Sequence, residues 1–137
     1  MTQTTILCID DEAVGLAVRA AVLRYSGYTV FAASSAVEAF QILADQHIDI
    51  VISDQLLKGT TGTRVAASMK EIRPDIPILI LSGLTELPED MEFADFFLSK
   101  CESPPVLLAT IAELLAQRGE VMHNAAASGN EAIPKAV

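Results

Sequence analysis

Short apolar runs alternate with amphipathic stretches along most of the chain. Five runs rich in Ile, Val and Leu predict strands, at 5–9, 28–33, 48–54, 76–82 and 95–99. Four stretches carry apolar residues at helical spacing, at about 14–25, 35–44, 65–72 and 104–118. Because strands that alternate with helices favour a parallel sheet covered on both faces, we expect an α/β fold with a doubly wound, five-stranded parallel sheet in (βα)5 order.

Sequence signals at the helix ends support this order. Gly27 is the expected C-cap of the first helix, and Ser35 with Glu38 forms a capping-box pair at the start of the second. Pro74 is expected to stop the third helix. The apolar stripe predicted to face the sheet from the first helix consists of Val14, Val18, Ala21, Val22 and Tyr25, and that of the third of Val65, Met69 and Ile72.

The later part of the chain is less regular. Segment 84–94 is acidic and interrupted by Pro88, so we expect a fourth helix that is short or irregular, with one or two turns from about 88 to 94. The last amphipathic helix is expected to end at Gly119. Since 120–137 shows no periodicity, the sequence predicts a domain over 1–119 and a disordered tail over 120–137.

Composition narrows the class of protein. Of the 137 residues, 51% are hydrophobic and 20% charged, which excludes a disordered chain and predicts one domain. The net charge of −9 argues against direct binding to nucleic acid or to an anionic membrane surface. Two cysteines are too few for a disulfide scaffold, and neither a secretory signal nor an apolar run of membrane-spanning length is present. We therefore expect a soluble, cytoplasmic protein.

Polar residues stand where the predicted strands end. They are Asp10 and Asp11 after the first strand, Asp54 at the end of the third, Ser82 at the end of the fourth and Lys100 after the fifth. The carboxyl ends of parallel strands share one edge, where open α/β sheets bind ligands. Three crowded carboxylates require positive charge, which Mg²⁺ and Lys100 would supply. A carboxylate in such a site can attack a phosphoryl group, with the ammonium and hydroxyl groups contacting the phosphoryl oxygens.

In these positions the chain resembles a response-regulator receiver domain of two-component signalling, over roughly residues 4–118. The matching features are the acidic pair Asp10-Asp11, Asp54 with Gly62 eight residues on, Ser82-Gly83, Lys100, and Phe97 at the aromatic switch position. The resemblance implies the flavodoxin-like receiver fold and a phosphorylation switch. Nothing after residue 119 is long enough for an output domain, and the chain begins with Met1, so we expect a stand-alone regulator.

The resemblance also implies a role for each residue. Asp54 would accept the phosphoryl group from the phosphohistidine of a histidine kinase or histidine phosphotransfer protein. The implied ligands of Mg²⁺ are Asp10, Asp11, Asp54 and the backbone carbonyl of Leu56. Ser82 and Lys100 would contact the phosphoryl group, and Phe97 would move inward as Ser82 turns. The signal would pass to a downstream protein target, and a homodimer through the face formed by the fourth helix, fifth strand and fifth helix is a further expectation.

The chain departs from the family pattern in two kinds of position. Lys58 and Cys101 stand where the family usually has proline, and the interval between Ser82 and Lys100 is shorter than usual. A non-proline cis peptide costs about 2.5–4 kcal/mol, which favours a trans bond after Lys100, but the sequence leaves both the cis and the trans form open. The positions two after Asp54 and two after Ser82 are the apolar Leu56 and Leu84, which cannot orient a water molecule, so we expect slow autodephosphorylation.

Several functions compete. A phosphoacceptor regulator is favoured, which catalyses only its own phosphorylation and dephosphorylation and is not otherwise an enzyme. A phosphorylation-independent interaction module is the alternative, motivated by the departures from the pattern. A hydrolase using aspartyl-phosphate chemistry is disfavoured, because no second aspartate lies two residues after Asp54 and no cap domain is present. A nucleotide-binding protein would need a glycine-rich turn after the first strand, which is absent.

Overall fold

Seven strands and four α-helices make up the described part of the chain. The computed structural model describes residues 3–83 and 90–128. Five strands form one parallel sheet in the order β2-β1-β3-β6-β7; they are β1 (Thr5–Ile9), β2 (Thr29–Ala33), β3 (Ile50–Asp54), β6 (Ile78–Ser82) and β7 (Phe96–Ser99). β4 (Leu56–Leu57) and β5 (Thr60–Thr61) pair antiparallel as a small hairpin. The predicted doubly wound, five-stranded parallel sheet is confirmed.

The helices cover both faces of the sheet. They are α1 (Ala13–Tyr25), α2 (Ala36–Asp45), α3 (Gly62–Ile72) and α4 (Pro104–Ser128). α2 and α3 pack on one face in a core cluster that includes Leu43, Val65 and Met69. α1 and α4 pack on the other face, where Leu23 and Ile111 join a second cluster. Both faces of β3 are therefore buried, which explains why its sequence is a continuous apolar run rather than an alternating one.

Local chemistry accounts for several of the helix ends. The Ser35 hydroxyl accepts a hydrogen bond from the Glu38 backbone N–H, and the Glu38 carboxylate accepts one from the Ser34 N–H. α1 ends before Gly27, whose φ of 101° is a conformation that favours glycine. α3 begins after Thr61, whose hydroxyl accepts from the Arg64 N–H. The predicted N-cap at Ser35 is confirmed, while the C-cap of α1 is Ser26 and Gly27 follows it in the left-handed conformation.

The predicted apolar stripe of α1 was wrong. Val14 and Val18 are exposed, and Tyr25 is 96% exposed. The buried residues of the helix are instead Leu16, Ala20 and Leu23. α1 is apolar on most of its circumference, so hydrophobic spacing defines two stripes, and only its position against the sheet decides which one is buried. Ile72, the last residue of α3, is also exposed, although Val65 and Met69 are buried.

Two further differences concern the later part of the chain. Between β6 and β7, the described helical structure is one 3₁₀ turn, Met91–Phe93, while the expected one or two helical turns from about 88 lie partly outside the described residues. α4 does not end at Gly119 but continues to Ser128. Glycine inside a helix costs only about 1 kcal/mol relative to alanine, which the helix-forming residues around it outweigh. Of the tail predicted to be disordered, 129–137 lies outside the described residues.

Gly62 gives a test of the packing beneath Asp54. A Cβ added at Gly62 would overlap the carbonyl oxygen of Asp54 and approach Cδ1 of Ile80 to 3.1 Å. Because neither backbone nor core can yield freely, Gly62→Ala should lower the free energy of unfolding by about 1–3 kcal/mol. Urea unfolding followed by circular dichroism measures this loss.

Gly119→Ala is the matched control. An added Cβ at Gly119 has no atom within 4 Å, and the residue lies inside α4. Alanine there should raise the free energy of unfolding by up to about 1 kcal/mol. Equal effects of the two substitutions would contradict the account of Gly62, and a loss of stability at residue 119 would contradict a helix that continues through it.

Candidate functional site

The strand ends bring the predicted polar residues to one edge of the sheet. Asp10 follows β1, Asp54 ends β3, Ser82 ends β6 and Lys100 follows β7. β1, β3, β6 and β7 are consecutive neighbours in the sheet and run parallel, so their carboxyl ends open into the same crevice. The pairing also sets Ser82 opposite Ser99, and the Lys100 N–H donates to the Ser82 carbonyl at 3.0 Å.

Three carboxylates converge in this crevice. One oxygen from each of Asp10, Asp11 and Asp54 lies within 4.8 Å of the others. Asp10 is 1% exposed and Asp54 is 5% exposed, whereas Asp11 is partly exposed. Closely spaced carboxylate oxygens are the donor set that hard divalent cations such as Mg²⁺ prefer, so the residues present fit such an ion.

Each of the two buried carboxylates has its own cation. Nζ of Lys100 donates to Oδ2 of Asp54 at 2.9 Å. Nη1 of Arg19, on α1, donates to Oδ2 of Asp10 at 3.1 Å, and Oδ1 of Asp10 accepts from the Glu12 backbone N–H at 2.9 Å. Buried charges that are paired and hydrogen-bonded avoid most of the cost of desolvation. Three carboxylates with two cations leave an excess of one negative charge.

The backbone on both sides of Asp54 is held closely. The Ser53 hydroxyl donates to the Asp54 carbonyl at 2.9 Å, and the Gly62 N–H donates to the Gln55 carbonyl at 2.8 Å. The buried side chain of Gln55 accepts from the Thr63 N–H at 3.1 Å, which ties the start of α3 to the end of β3. The carboxylate of Asp54 therefore projects from a rigid support.

A cavity of about 500 Å³ opens in front of Asp54 and Lys100. Asp11, Leu56 and Lys58 also line it, and the Leu56 side chain is 57% exposed. Leu56 belongs to the β4–β5 hairpin. Leu84, the second apolar residue predicted to influence the approach of water to Asp54, lies outside the described residues.

The remaining predicted residues lie on β6, on β7 and directly after β7. Ser82 is partly buried at the end of β6. Phe97 is partly buried and packs against the core cluster on the α2–α3 face. The Lys100–Cys101 peptide, which the sequence left open as cis or trans, is trans, and Lys100 reaches Asp54.

Arg19 is the site residue that the sequence reasoning missed. It lies on the buried side of α1, three residues after Leu16 and four before Leu23, and its side chain is only 13% exposed. A lone arginine on the buried stripe of a helix is a recognisable signal for an internal ion pair. Arg19 was not predicted as a site residue because the opposite stripe of α1 was expected to be buried.

Comparison with known proteins identifies the family. The family model described as response regulator receiver domain matches residues 6–112, which include every strand-end residue named above. The chain belongs to the response regulator receiver domain family.

Relatives of this receiver domain include regulators and kinases. It is 31% identical over 125 residues to the phosphate regulon transcriptional regulatory protein PhoB of Pseudomonas aeruginosa, covering 87% of this chain and 55% of that protein. It is 36% identical over 121 residues to the sensor kinase CckA of Brucella abortus, covering 82% of this chain and 12% of that protein. The chain thus spans about half of the first relative and a small part of the second.

Solved structures support the same assignment. A CheY-like response regulator receiver domain protein from Methanospirillum hungatei has a TM-score of 0.81 and 25% identity, with 87% of this chain and 98% of that chain covered. A receiver domain protein from Clostridium thermocellum has a TM-score of 0.79 and 28% identity, with 85% and 97% covered. Within the part of this receiver domain that the structure describes, no helix combines the length and apolarity needed to cross a membrane.

The two cysteines of the receiver domain provide a test of the packing around Asp10. Burial raises the pKa of the Cys8 thiol to about 11, against a smaller opposing effect of Arg19, whereas Cys101 is exposed. Since the thiolate is the reactive form, a maleimide should modify Cys101 but not Cys8 in the folded protein between about pH 7 and pH 9. Intact mass should therefore show one adduct, and two adducts in urea.

Cys101→Ser is the control for this labelling. The folded variant should remain unmodified over the same range of pH, and unfolding it should allow one adduct. Rapid modification of the folded variant would contradict the burial of Cys8 against α1.

Proposed function

We propose that this receiver domain accepts a phosphoryl group from phosphohistidine onto Asp54, with Mg²⁺, and signals through protein–protein contacts. The observation that carries the proposal is the position of Asp54: a buried carboxylate on a rigid strand end, 2.9 Å from Lys100 and beside two further aspartates. Membership of the receiver family supports the same chemistry.

Asp54 supplies the nucleophile. A carboxylate oxygen forms the new bond to phosphorus while the bond from phosphorus to the donor histidine nitrogen breaks. Little covalent chemistry is required of the protein in phosphoryl transfer, so positioning and charge compensation provide most of the catalysis. The hydrogen bonds around Ser53, Gln55 and Thr63 provide the positioning.

Lys100 supplies a cation from the β7 side. Its ammonium group already pairs with Asp54 and can follow the phosphoryl oxygens once they carry the charge. The hydroxyl of Ser82, at the end of the neighbouring strand, is proposed to donate to a phosphoryl oxygen. The residues that would hold Mg²⁺ are Asp10, Asp11, Asp54 and the backbone carbonyl of Leu56. When bound, Mg²⁺ neutralises charge on the phosphoryl oxygens.

The output is proposed to pass through Phe97 and β7. When Ser82 turns toward the phosphoryl group, Phe97 is proposed to move inward and to alter the surface formed by segment 90–94, β7 and α4. The proposed partners are a histidine kinase or histidine phosphotransfer protein and a downstream protein target, with a homodimer as one mode of assembly. The domain would turn over no substrate other than its own phosphoryl group, would not bind nucleic acid directly, and would act in the cytoplasm.

A phosphorylation-independent interaction module is the second candidate. The observation that favours it is the structure between β6 and β7, where the described helical residues form only a single 3₁₀ turn. A receiver domain with an altered output surface can serve as a binding module. The two candidates differ in whether Asp54 is modified.

Phosphorylation of Asp54 is tested by intact mass. Incubation of the wild-type protein with Mg²⁺ and acetyl phosphate should add one phosphoryl group, and Asp54→Ala should abolish the adduct, because Asp54 is the carboxylate that both lines the cavity and pairs with Lys100. Asp45→Asn, which removes an exposed carboxylate at the end of α2, should leave the adduct unchanged. An adduct that persists in Asp54→Ala, or no adduct in the wild type, would favour the interaction module.

The lifetime of the phosphorylated form provides a second test. Leu56 lines the cavity in front of Asp54 and cannot orient water. Leu56→Asn should raise the rate of dephosphorylation by roughly two- to tenfold, the factor that corresponds to the net 0.5–1.5 kcal/mol of one hydrogen bond. Loss of the adduct is followed by mass after removal of the phosphodonor.

The matched control for Leu56 is Val37→Asn. Val37 is an exposed apolar residue on α2, on another part of the surface, and the same substitution there should not change the rate. Equal rates for Leu56→Asn and the wild type would show that the apolar side chain does not limit the approach of water.

A further inference from the structure

The ion pair between Arg19 and Asp10 gives the acidic site an internal cation of its own. Asp10 is almost completely buried, and both of its carboxylate oxygens already have a donor, one from Arg19 and one from the Glu12 N–H. The guanidinium is itself largely buried on the face of α1 that packs against the sheet. The pair is therefore part of the core rather than a mobile contact at the surface.

The sequence around Arg19 makes room for this pair. Gly15 lies one turn before it, and a Cβ added there would lie 3.3 Å from Oδ2 of Asp10, the oxygen that Arg19 contacts. That separation is tighter than ordinary van der Waals contact, so a larger residue at position 15 would press on the bonded oxygen. Gly15, Arg19 and Asp10 thus form one packed unit.

We propose that Arg19 is a positioning residue that acts as a fixed counter-cation for Asp10. It compensates the carboxylate cluster in the absence of metal, and it lowers the affinity of the site for Mg²⁺. The inference rests on the proposed function for the identity of the divalent cation. Its physical basis is that a cation bonded to one carboxylate of a cluster repels a second cation that binds the same cluster.

Two consequences follow for this receiver domain. Its stability depends less on Mg²⁺ than it would with an apolar residue at position 19, because one buried carboxylate is already compensated. Its site also fills at a higher concentration of Mg²⁺ than it would without Arg19. The occupancy of the site therefore responds to changes in the Mg²⁺ concentration over that higher range. By linkage, the weakening of Mg²⁺ binding by Arg19 equals the weakening of the ion pair by Mg²⁺.

Arg19→Met is the variant that tests the proposal. Methionine keeps an unbranched apolar stem and removes the charge. Position 19 lines a cavity of about 330 Å³ between α1 and α4, which leaves the flexible methionine side chain room to change its rotamer. Thermal unfolding is followed by circular dichroism at about pH 8, in EDTA and across a series of MgCl2 concentrations at constant ionic strength, and the rise of the midpoint with MgCl2 yields the Kd.

The expected result is a lower midpoint in EDTA together with Mg²⁺ binding that is roughly tenfold tighter than in the wild type. A tenfold change in Kd corresponds to about 1.4 kcal/mol, so saturating Mg²⁺ should recover more stability in the variant than in the wild type. Arg19→Lys retains the charge and should bind Mg²⁺ within about twofold of the wild type, which separates charge from packing.

Arg24→Met is the matched control on the same helix. Arg24 donates to the Val30 carbonyl at 2.9 Å and does not contact a carboxylate of the site. Its replacement should lower the midpoint by the same amount in EDTA and in Mg²⁺, with an unchanged Kd.

The outcomes separate the inference from the proposed function. If the wild type binds Mg²⁺ and Arg19→Met binds it no more tightly, or if Arg19→Lys binds it as tightly as Arg19→Met, Arg19 is only a structural residue and the inference is overturned. If neither the wild type nor Arg19→Met responds to Mg²⁺, both the inference and the proposed metal site fail.

Discussion

The crowding of three carboxylates at the carboxyl edge of one sheet is the constraint on which this receiver domain depends. Parallel strands bring Asp10 and Asp54 together whether or not a ligand is bound, because the positions of both are determined by the backbone. Repulsion between them would favour unfolding unless positive charge were built into the fold. Arg19 enters from the α1 side and Lys100 from the β7 side, so one helical layer and the edge strand each contribute a cation to the same cluster.

Close packing beneath the site complements this charge balance. Asp54 belongs to a strand whose five residues are all buried, and Gly62 lies so near its carbonyl that no side chain fits there. Gln55 and Thr63 then join the end of β3 to the first turn of α3. A carboxylate supported in this way cannot move away from its neighbours to relieve repulsion. The electrostatic problem must therefore be solved by the residues that surround it.

Sequence reasoning was most successful where the signal was local. The apolar runs identified all five strands of the sheet, and the residue that ends each run identified the edge at which Asp54 and Lys100 meet. Sequence reasoning failed where one hydrophobic pattern is compatible with two different structures. α1 has apolar residues around most of its surface, so choosing the wrong face concealed Arg19 among residues expected to be exposed. Gly119 carries an end signal that the following helix-forming residues override, and the β4–β5 pairing depends on two residues in each strand, too few to form a periodic pattern.

The charge balance also indicates which part of the sheet would respond most readily to a change of charge on Asp54. β3 is paired on both sides and buried on both faces, and Asp10 is held by two donors, so neither yields easily. Within the described ranges, β7 is an edge strand whose one pairing is with β6, and its four residues are partly or fully exposed. Lys100 follows directly from β7, and its ammonium group bonds to Asp54. A new charge on Asp54 would therefore act, through Lys100, on the least constrained strand of the sheet, which also carries Phe97.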